Sequence, residues 1–172
     1  MSIQRVPVVL QNEAAECGLA CVAMVAGAFG DRRGLRALRV LAPASMRGMA
    51  LDRVIAVADR IGLSARALRI ELDDLAYLKR PAVLHWEGRH FVVLVGCDRR
   101  GVVIHDPASG KRHVAHAELS RCFTGIAVEF WPGERFDRAP RPQPIAWRSL
   151  LAPFHGLASG VARIALLALI LE

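Results

Sequence analysis

Gln11-Asn12-Glu13-Ala14-Ala15-Glu16-Cys17-Gly18-Leu19-Ala20-Cys21, running on through apolar residues to Val25, is the stretch on which the reading of this chain turns. From Glu16 to Ala26 the residues are apolar on nearly every face, which predicts a buried central helix. Cys17 falls in its first turn. A thiol there sits at the positive end of the helix dipole, among backbone N–H groups with no helical acceptor. Both effects favour the thiolate, the form of cysteine that attacks a carbonyl carbon. Such a nucleophile needs a base, and the base needs a group to orient it.

Two later stretches offer both. Pro81-Ala82-Val83-Leu84-His85-Trp86-Glu87-Gly88-Arg89-His90-Phe91-Val92-Val93-Leu94 carries two histidines, and Val103-Ile104-His105-Asp106-Pro107 ends in an acid. Between and around them the periodicity changes. The first half predicts helices over 16–26, 35–41 and 51–61, with Gly27 and Gly30 ending the first and Gly62 the last. The second half predicts strands over 64–70, 82–86, 90–96, 102–105 and 126–130, with a helical turn over 73–78. Cys97-Asp98-Arg99-Arg100-Gly101 reads as a hairpin with the glycine at positive φ. Helices first and antiparallel strands afterwards make an α+β domain.

The chain has 172 residues and a formal charge of +7, with Lys79 and Lys111 as its only lysines. The arginines are scattered, and no basic run alternates with aromatics as a nucleic-acid platform requires, so nucleic acid is not the expected partner. Cys17, Cys21, Cys97 and Cys122 form neither a secreted disulfide framework nor a Cys-x-x-Cys pair. Residues 1–10 lack the pattern of a signal peptide, which with free thiols points to a reducing setting. Arg135 to Pro144 is rich in proline and arginine and reads as a linker. Beyond it, 145–160 is amphipathic and Ile164 to Leu171 is wholly apolar, too short for the ~20 residues of a membrane span. The expected organisation is a domain over 1–134, a linker over 135–144, and over 145–172 an interfacial helix with the truncated start of a membrane helix.

The Gln–Cys-Gly block, the "PAVLHW…HFVVL" block and the Asp-Pro after a strand resemble, in order and over about residues 1–135, the bacteriocin-processing cysteine peptidase domain of peptidase-containing ABC transporters. The wording "AAECGLAC" is most similar to the colicin V secretion branch. The resemblance implies a papain-like cysteine peptidase fold, with N-terminal helices packed on an antiparallel sheet. It also implies a thiol endopeptidase that removes a double-glycine leader from an exported peptide, at the cytoplasmic face of the inner membrane. The implied partners are the precursor peptide, the remainder of a homodimeric transporter, and the membrane through the C-terminal segment. No cofactor is expected here; ATP and magnesium would belong to an ATPase domain, whose phosphate loop this chain does not contain.

Each site residue has a plainer reading beside the functional one. Cys17 could be an ordinary core cysteine, as Cys21 one turn later is expected to be. Its flanking Gln11, Glu16 and Gly18, together with the later blocks, make it the nucleophile. His85 and His90 compete for the base on residue patterns alone, and the family pattern selects His90 at the head of "HFVVL". Asp106 could simply cap a turn before Pro107. The hairpin returns it to the end of the sheet that carries His90, whereas Asp98 sits at the opposite tip. Gln11, six residues before Cys17 as in the family, is assigned as an oxyanion donor. His105 is expected to be structural, and His113 and His116 too isolated for a zinc site. Val54, Ala58 and Tyr77 are possible leader contacts, with core packing the plainer use of each. The rival function is a non-catalytic docking domain of the same exporters.

Overall fold

An all-apolar helix has to be surrounded, and that requirement organises the structure. The computed structural model describes residues 5–42, 49–138 and 167–168. Helix α1 (Cys17–Ala28) buries every residue but Gly27. Of the two glycines expected to end it, Gly27 lies inside the helix, which runs on to Ala28, and Gly30 makes the turn, with a φ of 102°. Gly27 is there for space: a Cβ would stand 2.6 Å from the ring of Pro7, so the N-terminal arm lies directly on the helix. Helices α2 (Gly34–Leu41) and α3 (Leu51–Arg60) are amphipathic and pack Leu35, Leu38, Val54, Val57 and Ala58 inward. α1 and α3 approach closely at Gly18, where an added Cβ would meet Val54 Cγ2 at 2.8 Å.

Six strands follow: β1 (Leu63–Arg69), β2 (Ala82–Trp86), β3 (His90–Asp98), β4 (Gly101–Asp106), β5 (Gly110–Ala115) and β6 (Phe123–Pro132). They form one antiparallel sheet in the order β1-β6-β2-β3-β4-β5. The register sets Val83 opposite both Val93 and Val128, and alternation then divides the sheet into two buried faces. One carries Val83, Phe91, Val93, Val128 and Phe130 against α1–α3. On the other, Leu84, Trp86, Val92, Leu94 and Ile104 are covered by Leu75 and Leu78 near a 3₁₀ turn and by Leu119 of α4 (His116–Cys122).

The α+β arrangement is the expected one, with two elements the sequence reading lacked. β5 is an edge strand with a single buried residue, Val114, and α4 is a seven-residue helix with only Leu119 buried. Neither has enough apolar residues to show a period. Val54 and Ala58 are fully enclosed in the core, whereas Tyr77 is 86% exposed and packs in no core. Packing on the helix side continues to Phe136, which meets Phe29 edge-to-face at 6.4 Å. Nearly all of 139–172, including the expected interfacial and membrane-entry segments, lies outside the described residues. Among the described residues no helix is long and apolar enough to cross a membrane.

Candidate active site

β3 begins at His90 and its antiparallel neighbour β4 ends at Asp106, so both residues stand at one end of the sheet. The tight turn before His90 uses Glu87 and Gly88 at positive φ, 51° and 73°, to bring β2 back as β3. His90 Nε2 lies 2.8 Å from Asp106 Oδ1. That commits one ring nitrogen to the carboxylate and leaves Nδ1 for the other side of the ring. The head of α1 supplies what lies there: Cys17 is 3% exposed and close enough to the His90 ring to help raise its pKa.

The electrostatics follow from this contact. Burial opposes charge on His90, but hydrogen bonds and charge from Asp106 and Cys17 outweigh it and raise its pKa to about 9. Burial likewise works against the Asp106 carboxylate, yet His90, the Ala108 N–H at 2.8 Å and the Ser109 hydroxyl at 2.8 Å hold its pKa at about 2. At neutral pH the pair is therefore imidazolium and carboxylate. The other three thiols are all pushed away from the thiolate: Cys21 by complete burial, Cys97 by burial, and Cys122 by burial and the neighbouring Glu87.

Gln11 reaches the same end by a different route. Its backbone N–H donates to the carbonyl of Pro107, one residue past Asp106, at 2.9 Å. Its side-chain Oε1 is buried without a hydrogen-bond partner among the described residues. Thus the structure brings Cys17, His90 and Asp106 together and anchors Gln11 next to them.

The remaining histidines go elsewhere. His85 Nδ1 lies 2.9 Å from the Thr124 hydroxyl, its ring tilts against Phe91 at 5.2 Å, and burial lowers its pKa. His105 is buried, and its Nδ1–H donates to the Pro7 carbonyl at 3.3 Å, pinning the N-terminal arm. His113 pairs with Asp98 at the distant hairpin tip, 3.0 Å apart. Among the described residues no group of three metal-ligating side chains converges.

Two features escape the sequence reading. Ala108 and Ser109 fix the Asp106 carboxylate, an arrangement for which Asp-Pro-x-Ser at a turn is the available signal. Glu16, noticed only as a neighbour of Cys17, is 2% exposed. Its carboxylate accepts the backbone N–H groups of Asn12 and Glu13 and a two-pronged contact from Arg39 of α2. The Arg39 hydrogen bond, with the backbone donors, outweighs burial and draws its pKa down to about 2. Glu13-x-x-Glu16 just before an apolar run is the sequence trace of that cap.

Comparison with known proteins identifies the family and the fold. A sequence profile of the peptidase C39 family matches residues 5–135. The chain is 44% identical over 169 residues to the colicin V secretion/processing ATP-binding protein CvaB of Escherichia coli, covering 98% of this chain and 24% of that protein. It is 45% identical, with the same coverage, to the probable microcin-H47 secretion/processing ATP-binding protein MchF of Escherichia coli. The chain thus spans about a quarter of the length of these relatives. A crystal structure of a double glycine motif protease from an AMS/PCAT transporter, in complex with leader peptide, superposes with a TM-score of 0.71. That match has 36% identity and covers 76% of this chain and 94% of the other. The peptidase domain of Streptococcus ComA, at 22% identity, shares the fold with a TM-score of 0.69, covering 74% of this chain and 99% of that one.

Proposed function

Because the chain belongs to the peptidase C39 family, we propose that it is a cysteine endopeptidase that removes a double-glycine leader from a peptide destined for export by an ABC transporter. The observation that carries this reading is the convergence of Cys17, His90 and Asp106 at one end of the sheet. In the proposed reaction the Cys17 thiolate attacks the carbonyl carbon of the second glycine. The carbonyl π electrons move to oxygen, and the resulting oxyanion is held by the Gln11 side-chain amide and the Cys17 backbone N–H. The tetrahedral centre collapses as the C–N bond breaks, and His90 gives its proton to the leaving amine. Neutral His90 then takes a proton from water, whose oxygen attacks the thioester. Collapse of that second intermediate releases the leader carboxylate, regenerates the thiolate and leaves His90 protonated. Asp106 keeps the ring oriented and its charge balanced throughout.

The proposed substrate class has a general steric rationale and fits one observed feature of the surroundings. Glycines at the scissile bond suit a cleft too narrow for side chains. A cavity of about 640 Å³ is lined by Val6, Pro7, Val95 and Val103, with positive charge from Arg5 and Lys111. An amphipathic leader segment carrying acidic residues would be complementary to that lining. The partners proposed for the whole protein are the precursor peptide and the membrane and ATPase domains of its own exporter, acting as a homodimer at the cytoplasmic face of the inner membrane.

The rival reading, a docking domain without chemistry, is separated by thiol reactivity. Iodoacetamide at mildly acidic pH, followed by peptide mapping, is expected to alkylate Cys17 ahead of Cys21, Cys97 and Cys122 and to abolish cleavage. Equal labelling of the more exposed Cys97 and Cys122, with Cys17 inert, would favour docking without chemistry.

A further inference from the structure

We propose that the Glu16–Arg39 ion pair is a positioning device for the oxyanion donor Gln11, an inference that rests on the peptidase reading above. Glu16 touches neither His90 nor Asp106 in any hydrogen bond of the described residues, yet it is buried immediately before the nucleophile. A buried carboxylate is costly unless it is neutralised and its lone pairs are filled. Here both conditions are met by unusually specific partners. Arg39 places Nε 2.5 Å from Oε1 and Nη2 2.9 Å from Oε2, while Oε2 also accepts the N–H of Asn12 at 3.0 Å and of Glu13 at 3.2 Å.

The direction of those bonds is the point. They run to the residues just after Gln11 and across to α2, 23 positions away in sequence. Gln11 is fixed from its other side by its N–H to the Pro107 carbonyl. The donor segment is therefore strung between two posts, one just past Asp106 and one just before Cys17. Any drift of residues 11–13 would have to break a charge-assisted bond at one post or a backbone bond at the other. A neutral cap would satisfy the same N–H groups without burying a charge. What the ion pair adds is registry: it ties the donor loop to the rigid helical layer. An oxyanion donor works only if it waits at the right distance before charge develops.

The test is cleavage of a double-glycine precursor peptide, with kcat and KM measured for Glu16→Gln, Arg39→Lys, Gln11→Ala and the doubles on Gln11→Ala. Glu16→Gln keeps an acceptor oxygen but loses the charge that grips Arg39. Its kcat is expected to fall about 10-fold or more, with KM for the precursor unchanged. In the Gln11→Ala background the same substitution is expected to cost less than about 2-fold, since the group it positions is gone. Thermal melts establish that each variant is folded. If Glu16→Gln is not, Arg39→Lys carries the test, because it retains charge and loses only the two-pronged geometry. Its kcat loss must likewise vanish on Gln11→Ala. Losses that multiply independently in the doubles, or a wild-type kcat in both single variants, would overturn the inference. Cleavage surviving in Cys17→Ala would instead overturn the peptidase reading itself.

Discussion

Asp106→Asn isolates the charge on the acid while keeping its shape. In the native site Asp106 Oδ1 receives both His90 Nε2 and the Ala108 N–H, so an asparagine oxygen can take over both contacts. Its amide can donate to the Ser109 oxygen in place of the bond now accepted by Oδ2. The charge is lost, and with it the longer ion pair of Oδ2 with Arg112 Nη1 at 3.7 Å. His90 is raised from 6.5 to about 9 against the effect of burial, which at 1.36 kcal/mol per unit is about 3 kcal/mol shared between Asp106 and Cys17. Asp106, lowered from 3.8 to about 2, reports about 2 kcal/mol for overlapping contacts seen from the other side. The two figures overlap and do not add; Cys17 contributes to the larger, and Ala108 and Ser109 to the smaller, so the pair itself accounts for at most about 2 kcal/mol. With both side chains at least four-fifths buried, solvent screening takes little from it. Losing the charge should drop the His90 pKa by about 1–2 units. The sign for stability follows. His90 stabilises the fold fully below about pH 6.5, and that contribution disappears as pH rises through about 9. Asp106 stabilises above its ordinary 3.8, with the loss coming as pH falls through about 2. In the variant the alkaline limb of kcat/KM should move down from near 9 by about 1–2 units, and urea stability at neutral pH should fall by about 2 kcal/mol. A pH–rate series on a fluorogenic leader peptide, paired with urea titrations, measures both. An alkaline limb that stays in place would show that Asp106 does not hold the charge on His90, and the electrostatic argument would fail.

Gly18→Ala puts a Cβ 2.8 Å from Val54 Cγ2 and 3.0 Å from Met49 Sδ, and should cost about 1–3 kcal/mol of stability by urea titration. Because Gly18 adjoins Cys17, kcat should drop with it; an unaltered kcat would mean that α1 absorbs the methyl without moving the thiol. His85→Ala loses a bond to Thr124 and a contact with Phe91 and should leave kcat within about 3-fold, whereas His90→Ala should remove activity by about 10²-fold or more. The reverse result would reassign the base. A chain ending after Arg138 should fold and cleave, while one ending after Glu134 loses the Phe29–Phe136 contact and should melt lower by about 2 kcal/mol in stability. Equal melting of the two would place the domain edge before Phe136.

What could be read in the sequence was whatever leaves a periodic or chemical mark. The unbroken apolar run after Cys17 gave away the central helix, and short apolar or alternating runs between turn residues gave away five of six strands. β5 and α4 left no such mark, because each buries a single side chain. Gly27 misled for a related reason: glycine marks a helix end when the backbone needs positive φ, but here it makes room for Pro7. The pairing of His90 with Asp106 could be anticipated from strand order, since two antiparallel neighbours must present start and finish at one end. The pairing of Glu16 with Arg39 could not. It joins a loop to a surface helix through tertiary packing, and neither residue type nor spacing announces it.

The central claim is that the Cys17 sulfur attacks the peptide. Mass spectrometry of a double-glycine precursor incubated with the folded wild-type chain and with Cys17→Ala tests it most directly. The account predicts a single cut after the second glycine by the wild type. It predicts no detectable cut by Cys17→Ala, with precursor binding retained. Cleavage at an undiminished rate by Cys17→Ala would contradict it.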